Sequence, residues 1–143
     1  MKHQVVGSKL NRDIKERKAL FKNLIIALIT HGKIKTTVAK AKAIRSLAEK
    51  LVTRAKDGSS GALRQVSSFL TKKEAINKLT KNIAPRFNSK IGGYVRMTRV
   101  GVRKGDNAEE AILEWSQGDP KHSKSLPPTQ SEEVSRQTQK KKV

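Results

Sequence analysis

The chain has 143 residues, the usual size of one domain, and carries 32 Lys and Arg against 12 Asp and Glu, a formal charge of +20. Such an excess favours a polyanionic partner. The lack of cysteine excludes disulfide frameworks, zinc ribbons, iron–sulfur clusters and thiol nucleophiles. The longest wholly apolar run, residues 24–29, is far shorter than the roughly twenty residues of a membrane span. We therefore predict a soluble, cytoplasmic chain with no membrane partner.

Charge and composition change along the sequence. Residues 1–104 hold 26 basic and 5 acidic side chains, whereas residues 105–143 hold 6 basic and 7 acidic ones. From Gly118 onward the chain is rich in polar residues and proline and has almost no apolar residue. We predict one domain over residues 1–117, which opens with a basic arm over 1–12, and a low-complexity, disordered tail over 118–143.

The first elements follow from periodicity and end signals. A first helix is predicted to begin behind Asp13 and to end at Gly32. Its predicted inward stripe is Leu20, Leu24, Ala27, Leu28 and His31. The alternating, β-branched segment 33–36 predicts a short strand.

Three further helices are predicted in the middle of the chain. Thr36 or Thr37 can cap a second helix that runs from 38 to about 56 and ends at Asp57-Gly58. Residues 62–70 predict a short third helix. Thr71 and Glu74 have the spacing of a capping box for a fourth helix, which Pro85 is predicted to terminate.

The last part of the predicted domain has the composition of β-structure. Segments 94–102 and 111–115 predict two antiparallel strands joined by a turn at 104–107. Together with the helices, these strands predict an α+β domain of two layers. In that fold, a small mixed sheet of about three short strands has three to four helices packed on one face.

Three cationic segments are candidates for phosphate contact. The basic arm can follow a phosphate backbone, and the alternative is a frayed terminus. The junction at 36–38 can place a phosphate at a helix N-terminus, or it is an ordinary cap with a solvated helix face. Residues 85–104 combine six cations with Gly92-Gly93 and Tyr94. Tyr94 can stack on RNA, or the two glycines form a turn whose Tyr packs in the core.

Catalysis has little support in the sequence. Of the three histidines, His122 falls in the tail, and His3 and His31 have no acidic neighbour to orient them. Glu110 and Glu114 would share one face of a strand, where solvated charge is favoured over an acid/base pair. We predict no enzyme, no metal site, no cofactor and no small-molecule substrate.

Several short motifs follow one another along the chain: Met1-Lys-His, Gly7-x-Lys-Leu-Asn-Arg, Arg17-x-Ala-Leu-Phe-Lys-Asn, His31-x-x-Ile-Lys-Thr-Thr, Lys40-Ala-Lys, Pro85-Arg-Phe, Gly92-Gly-Tyr-x-Arg and Gly105-Asp-Asn-Ala. In this order and spacing they resemble the bacterial-type large-subunit ribosomal protein L-seventeen family. The resemblance covers roughly residues 1–115. Gln4, Glu16, Ala39 and Lys90 depart from the residues usual in the family.

The resemblance implies a structural constituent of the large ribosomal subunit. Such a protein binds and stabilises large-subunit rRNA near the polypeptide exit tunnel, contacts neighbouring ribosomal proteins and supports translation in the cytoplasm. The charge pattern and the resemblance together select the following candidate RNA-binding residues: Lys2, His3, Lys9, Arg12, Arg17, Lys22, His31, Lys35, Lys40, Lys42, Arg45, Arg86, Lys90, Tyr94, Arg96 and Arg99.

Two other functions have a similar charge signature. A nucleoid DNA-binding architectural protein would be equally basic, but should carry an apolar intercalating wedge or a dimerisation element. An RNA-processing enzyme would need a clustered acid/base or metal set. Neither feature is evident in the sequence.

Overall fold

The computed structural model describes residues 8–116, which fold into four α-helices and a three-stranded sheet. The elements in order are α1 Ile14–His31, β1 Lys33–Thr37, α2 Val38–Asp57, α3 Ser60–Phe69, α4 Lys73–Lys78, a π-helical turn Leu79–Ile83, a 3₁₀ turn Ala84–Phe87, β2 Val95–Val102 and β3 Glu109–Trp115. The predicted α+β fold is confirmed. The basic arm lies largely, and the predicted tail wholly, outside the described residues.

Glycines end the two long helices where the sequence predicts. Gly32 has a φ of 79° and donates its N–H to the carbonyl of Leu28 at 2.9 Å. Gly58 has a φ of 66° behind α2. This left-handed conformation costs glycine the least, because it has no Cβ to clash with the backbone.

Other predicted end signals act differently from what we expected. Thr37 holds the cap position of α2, but its side chain makes no capping hydrogen bond. The capping box is wrong, since α4 begins at Lys73 behind Lys72 and lacks a side-chain cap. Pro85 does not end the helical segment, because it occupies the first turn of the 3₁₀ helix, where its missing N–H costs no hydrogen bond.

The sheet has the order β1-β3-β2, and β3 is antiparallel to both neighbours. The sheet is therefore antiparallel throughout, and the prediction of a mixed sheet is wrong in this respect. The residue pattern predicted that β1 exists, but it could not indicate the direction in which β1 pairs. Leu113 pairs with Ile34 on one side and Met97 on the other, and Trp115 pairs with Val95. These residues form the face that packs against the helices.

Helix α2 lies across this face and forms the centre of the core. Its Ala41, Ile44, Ala48 and Leu51 are all buried. The indole Nε1 of Trp115 donates to the Leu28 carbonyl at 3.3 Å, which joins β3 to α1. Within residues 8–116, no helix has the length and apolar character needed to cross a membrane.

The buried stripe of α1 differs from the predicted one. Its buried residues are Ile25, Ile26, Leu28 and Ile29, so Leu28 alone of the five predicted residues is buried, and His31 is exposed. Residues 24–29 are apolar all round the helix, so periodicity could not select the face that packs. No residue from 14 to 24 is buried, which leaves the first half of α1 along the edge of the domain.

Candidate nucleic-acid interface

The described part of the basic arm ends in a tight turn before α1. Leu10 and Asn11 both have positive φ, at 54° and 52°. The Arg12 N–H donates to the Lys9 carbonyl at 3.3 Å, so the four residues form a β-turn. This turn brings the exposed cations Lys9 and Arg12 close together. Two further predicted residues, Lys2 and His3, lie outside the described residues.

Cations also follow the exposed first half of α1. Arg17 and Lys22 are half-buried there. Lys15, before Arg17, and Lys18, between the two, are exposed. His31 is exposed but lies at the other end of the helix. Arg17 therefore lies near the start of α1, next to the end of the arm, whereas Lys22 lies in the middle of the helix and His31 at its end.

The first half of α2 carries three of the predicted residues. Lys40 is half-buried, Lys42 is exposed, and the Nε of Arg45 lies 3.5 Å from the Oε1 of Glu49. Lys42 lines an open concavity of about 810 Å³ together with Thr37 at the N-terminus of α2. Ser8 and the start of β3 complete this surface, and β3 contributes the carboxylate of Glu109.

The outer face of the sheet has mixed charge. Lys35 on β1 forms an ion pair of 2.6 Å with Glu110, and Arg96 on β2 lies 3.9 Å from Glu114. Both carboxylates belong to the central strand, so they separate the cations of the two edge strands. Arg99 is also exposed, but it pairs in register with the buried Ala111 and so does not belong to this outer face.

These ion pairs bear on the question of catalysis. Glu110 and Glu114 each face a cation, as expected for charges that stabilise the sheet surface rather than for an acid/base pair. No group of three potential metal ligands occurs among residues 8–116.

The loop before β2 differs most from the predicted interface. Tyr94 is only 2% exposed, and its ring packs 5.1 Å from that of Phe87. Its hydroxyl donates to the Lys90 carbonyl at 3.1 Å. A ring in this position cannot stack on a base, so the core-packing alternative is correct for Tyr94. The ammonium of Lys90 donates to Ser116 Oγ at 3.0 Å, and Arg86 is half-buried.

Lys56 is a functional candidate that the sequence did not indicate. Its ammonium donates to the Lys90 carbonyl at 2.7 Å and to the Tyr94 hydroxyl at 3.3 Å, and it lies 5.3 Å from the centre of the Tyr94 ring. The partners are 34 and 38 residues away in sequence, so no local pattern could indicate these contacts. Lys56 thus ties the end of α2 to the glycine-containing loop.

The tip of the β2–β3 hairpin is stabilised by its own charges. Arg103 Nε and Nη2 donate to the two carboxylate oxygens of Asp106 at 3.0 and 2.5 Å. These hydrogen bonds, followed by one from the Ala108 N–H, lower the pKa of Asp106 to about 2. The same carboxylate raises the pKa of Arg103. The Arg103 guanidinium is therefore paired with Asp106 within the turn.

The sequence of this chain is similar to those of known proteins. A family model described as Ribosomal protein L17 matches residues 20–116. The large ribosomal subunit protein bL17 of Koribacter versatilis is 46% identical over 114 residues, which are 80% of this chain and 71% of that protein. The bL17 of Clostridium perfringens is 50% identical over 106 residues, 74% of this chain and 94% of that protein. The chain thus belongs to the ribosomal protein L17 family.

Proposed function

We propose that this chain is a structural constituent of the large ribosomal subunit, where it binds and stabilises large-subunit rRNA and supports translation. The observation that carries the proposal is its similarity, over about three-quarters of its length, to proteins named as large-subunit components. A place near the polypeptide exit tunnel, in the cytoplasm and beside other ribosomal proteins, is part of the same proposal and comes from the family resemblance.

The distribution of charge supports an RNA-binding role. Exposed or half-buried cations occur at the end of the arm, on the first half of α1 and on the first half of α2; they are Lys9, Arg12, Arg17, Lys22, Lys40 and Lys42. Lysine and arginine contacts with phosphates release counterions and do not read base sequence. The protein would therefore act by neutralising and positioning folded RNA, without catalysis.

The test is sedimentation of ribosomes from cells that express a tagged copy of the chain. The subunits are treated with DNase, washed in high salt and separated on a sucrose gradient. We expect the tagged chain to stay in the large-subunit peak in a one-to-one ratio, because an embedded protein keeps many contacts at once. Loss to the top of the gradient would instead indicate a peripheral polyanion binder, and sensitivity to DNase would favour the nucleoid alternative.

A further inference from the structure

A second cationic surface joins the glycine loop to a part of α2 that was not selected from the sequence. The C-terminal half of α2 and the loop before β2 form the two sides of an open groove of about 400 Å³. Lys50 and Arg54 line the helix side of the groove, and Ile91 and Gly92 line the loop side. The sequence selected the glycine loop, within residues 85–104, but no residue of α2 beyond Arg45.

The helix side offers two cations to a ligand. Lys50 and Arg54 are one helical turn apart, so their like charges repel each other unless an anion lies between or above them. Within residues 8–116, neither forms an ion pair. Glu49 also lines the groove, but its Oε1 is 3.5 Å from the Nε of Arg45, which offsets its charge.

The loop side leaves its backbone open to a close approach. A Cβ built on Gly92 or Gly93 would meet no atom within 4 Å, and Gly93 has a φ of 64° that favours glycine. Ile91 is 98% exposed, so its side chain contributes nothing to the core. Exposed backbone and a free apolar side chain beside two cations fit a phosphate-sugar backbone, whose riboses offer apolar contact.

Lys56 fixes the position of this loop. Its ammonium bonds the Lys90 carbonyl and the Tyr94 hydroxyl, one on each side of the two glycines. The Tyr94 hydroxyl itself donates to the Lys90 carbonyl, which closes the loop at its base. Because these donors are used within the chain, the Lys56 ammonium is directed to the loop and not toward a ligand.

We propose that this groove binds a segment of rRNA backbone, with Lys50 and Arg54 contacting phosphates and Lys56 acting as a positioning residue. The proposal rests on the RNA-binding function proposed above. It adds a site on the second half of α2 and a separate role for a lysine that contacts no RNA.

The test measures binding of the full chain to refolded large-subunit rRNA transcribed in vitro, over a series of KCl concentrations. Lys50→Gln should weaken binding and flatten the plot of log affinity against log salt by about 0.7 to 0.9, the loss of one phosphate contact. The matched control, Lys73→Gln, removes the same charge at an exposed position of α4, outside the groove and the three candidate segments, and should leave the slope unchanged. Equal losses in the two variants would overturn the groove assignment.

Lys56→Met separates positioning from phosphate contact. We expect weaker binding with the wild-type salt slope, together with faster hydrogen exchange of the loop amides 88–94. A slope reduced as in Lys50→Gln would mean that Lys56 touches RNA, and unchanged affinity would mean that loop position is irrelevant; either result refutes the positioning role. Circular dichroism confirms folding of each variant. If the wild-type chain binds rRNA no better than duplex DNA of similar length, the proposed function itself fails.

Discussion

Individual cations on this protein differ in how available they are to RNA. Lys35 and Arg96 face carboxylates on the central strand, and Arg103 is held by Asp106. A paired cation must give up a partner before it contacts phosphate, so it gains less than a free one. Arg12 is exposed and makes no ion pair within residues 8–116, so we expect it to contribute more.

Reversal of charge at Arg12 should therefore impair assembly. We expect Arg12→Glu to reduce incorporation of a tagged chain into large subunits several-fold, because it places an anion against phosphates. Arg12→Gln, which removes the charge without reversing it, should have an intermediate effect. Gradient fractions probed for the tag measure both, and wild-type incorporation of Arg12→Glu would exclude this contact.

Arg96 requires a design that separates RNA contact from its pairing with Glu114. Arg96→Glu alone would place two carboxylates on paired positions of neighbouring strands. The double variant Arg96→Glu with Glu114→Arg restores the ion pair in the opposite direction. If Arg96 contacts RNA, incorporation should stay low in the double variant, whereas full recovery would show that only the local pair matters.

Asp106 gives the hairpin tip a pH dependence at low pH. Its pKa is about 2 in the folded chain, below the ordinary value of 3.8, so its stabilising effect is complete above about 4 and is lost as pH falls toward 2. An NMR titration of the carboxyl carbon should show a midpoint near 2. Arg103→Gln should move the midpoint back toward the ordinary value; no movement would contradict the assigned cause.

At the scale of the helices, α1 combines two environments. Its second half is buried under the sheet and α2, whereas its first half carries exposed cations and an Ile14 that is 61% exposed. Isoleucine therefore contributes differently to the free energy of unfolding in the two halves of this helix.

Two matched substitutions test this division of α1. Ile25 is 1% exposed, so Ile25→Ala should reduce the free energy of unfolding by about 2 to 5 kcal/mol through lost burial and a cavity. Ile14→Ala, the same chemical change at an exposed position, should cost less than about 0.5 kcal/mol. Urea denaturation compares the two variants, and similar losses would show that the first half of α1 is packed.

Element ends could be predicted from the sequence where the signal is local. Gly32 and Gly58 end helices because their own conformational freedom decides the matter. The inward face of α1 could not be predicted, because residues 24–29 are apolar on every side. The prediction that Pro85 ends the fourth helix was wrong, because proline breaks a helix in its interior but fits the first turn of a new one.

Across the whole molecule, the candidate site was only partly predictable. The cations of the arm, α1 and α2 follow from composition and family resemblance, because charge on a helix face is a sequence property. The burial of Tyr94 and the loop contact of Lys56 depend on the packing of α2 against a segment more than thirty residues later. Tertiary contacts of this kind leave no periodic signal along the chain.

The uneven charge of the sequence yields a prediction for the whole chain. Residues 118–143 hold 6 basic and 3 acidic side chains, a net +3 of the formal charge of +20, and almost no apolar residue. A chain that ends at residue 117 should therefore keep the thermal midpoint of the full chain, because few apolar side chains are lost, and most of the salt dependence of rRNA binding. A lower midpoint, or the loss of most of the slope, would show that residues 118–143 contribute to the fold or dominate the interface.

The position of β3 between β1 and β2 determines when the sheet can form during synthesis. The two edge strands do not pair with each other, and the strand that joins them is the last of the three described strands to be made. Until residues 109–115 have emerged, β1 and β2 present unpaired backbone N–H and carbonyl groups, which invite association with other chains. The described domain therefore completes its tertiary structure only after residue 115 has emerged, and premature termination within β3 would leave an aggregation-prone product.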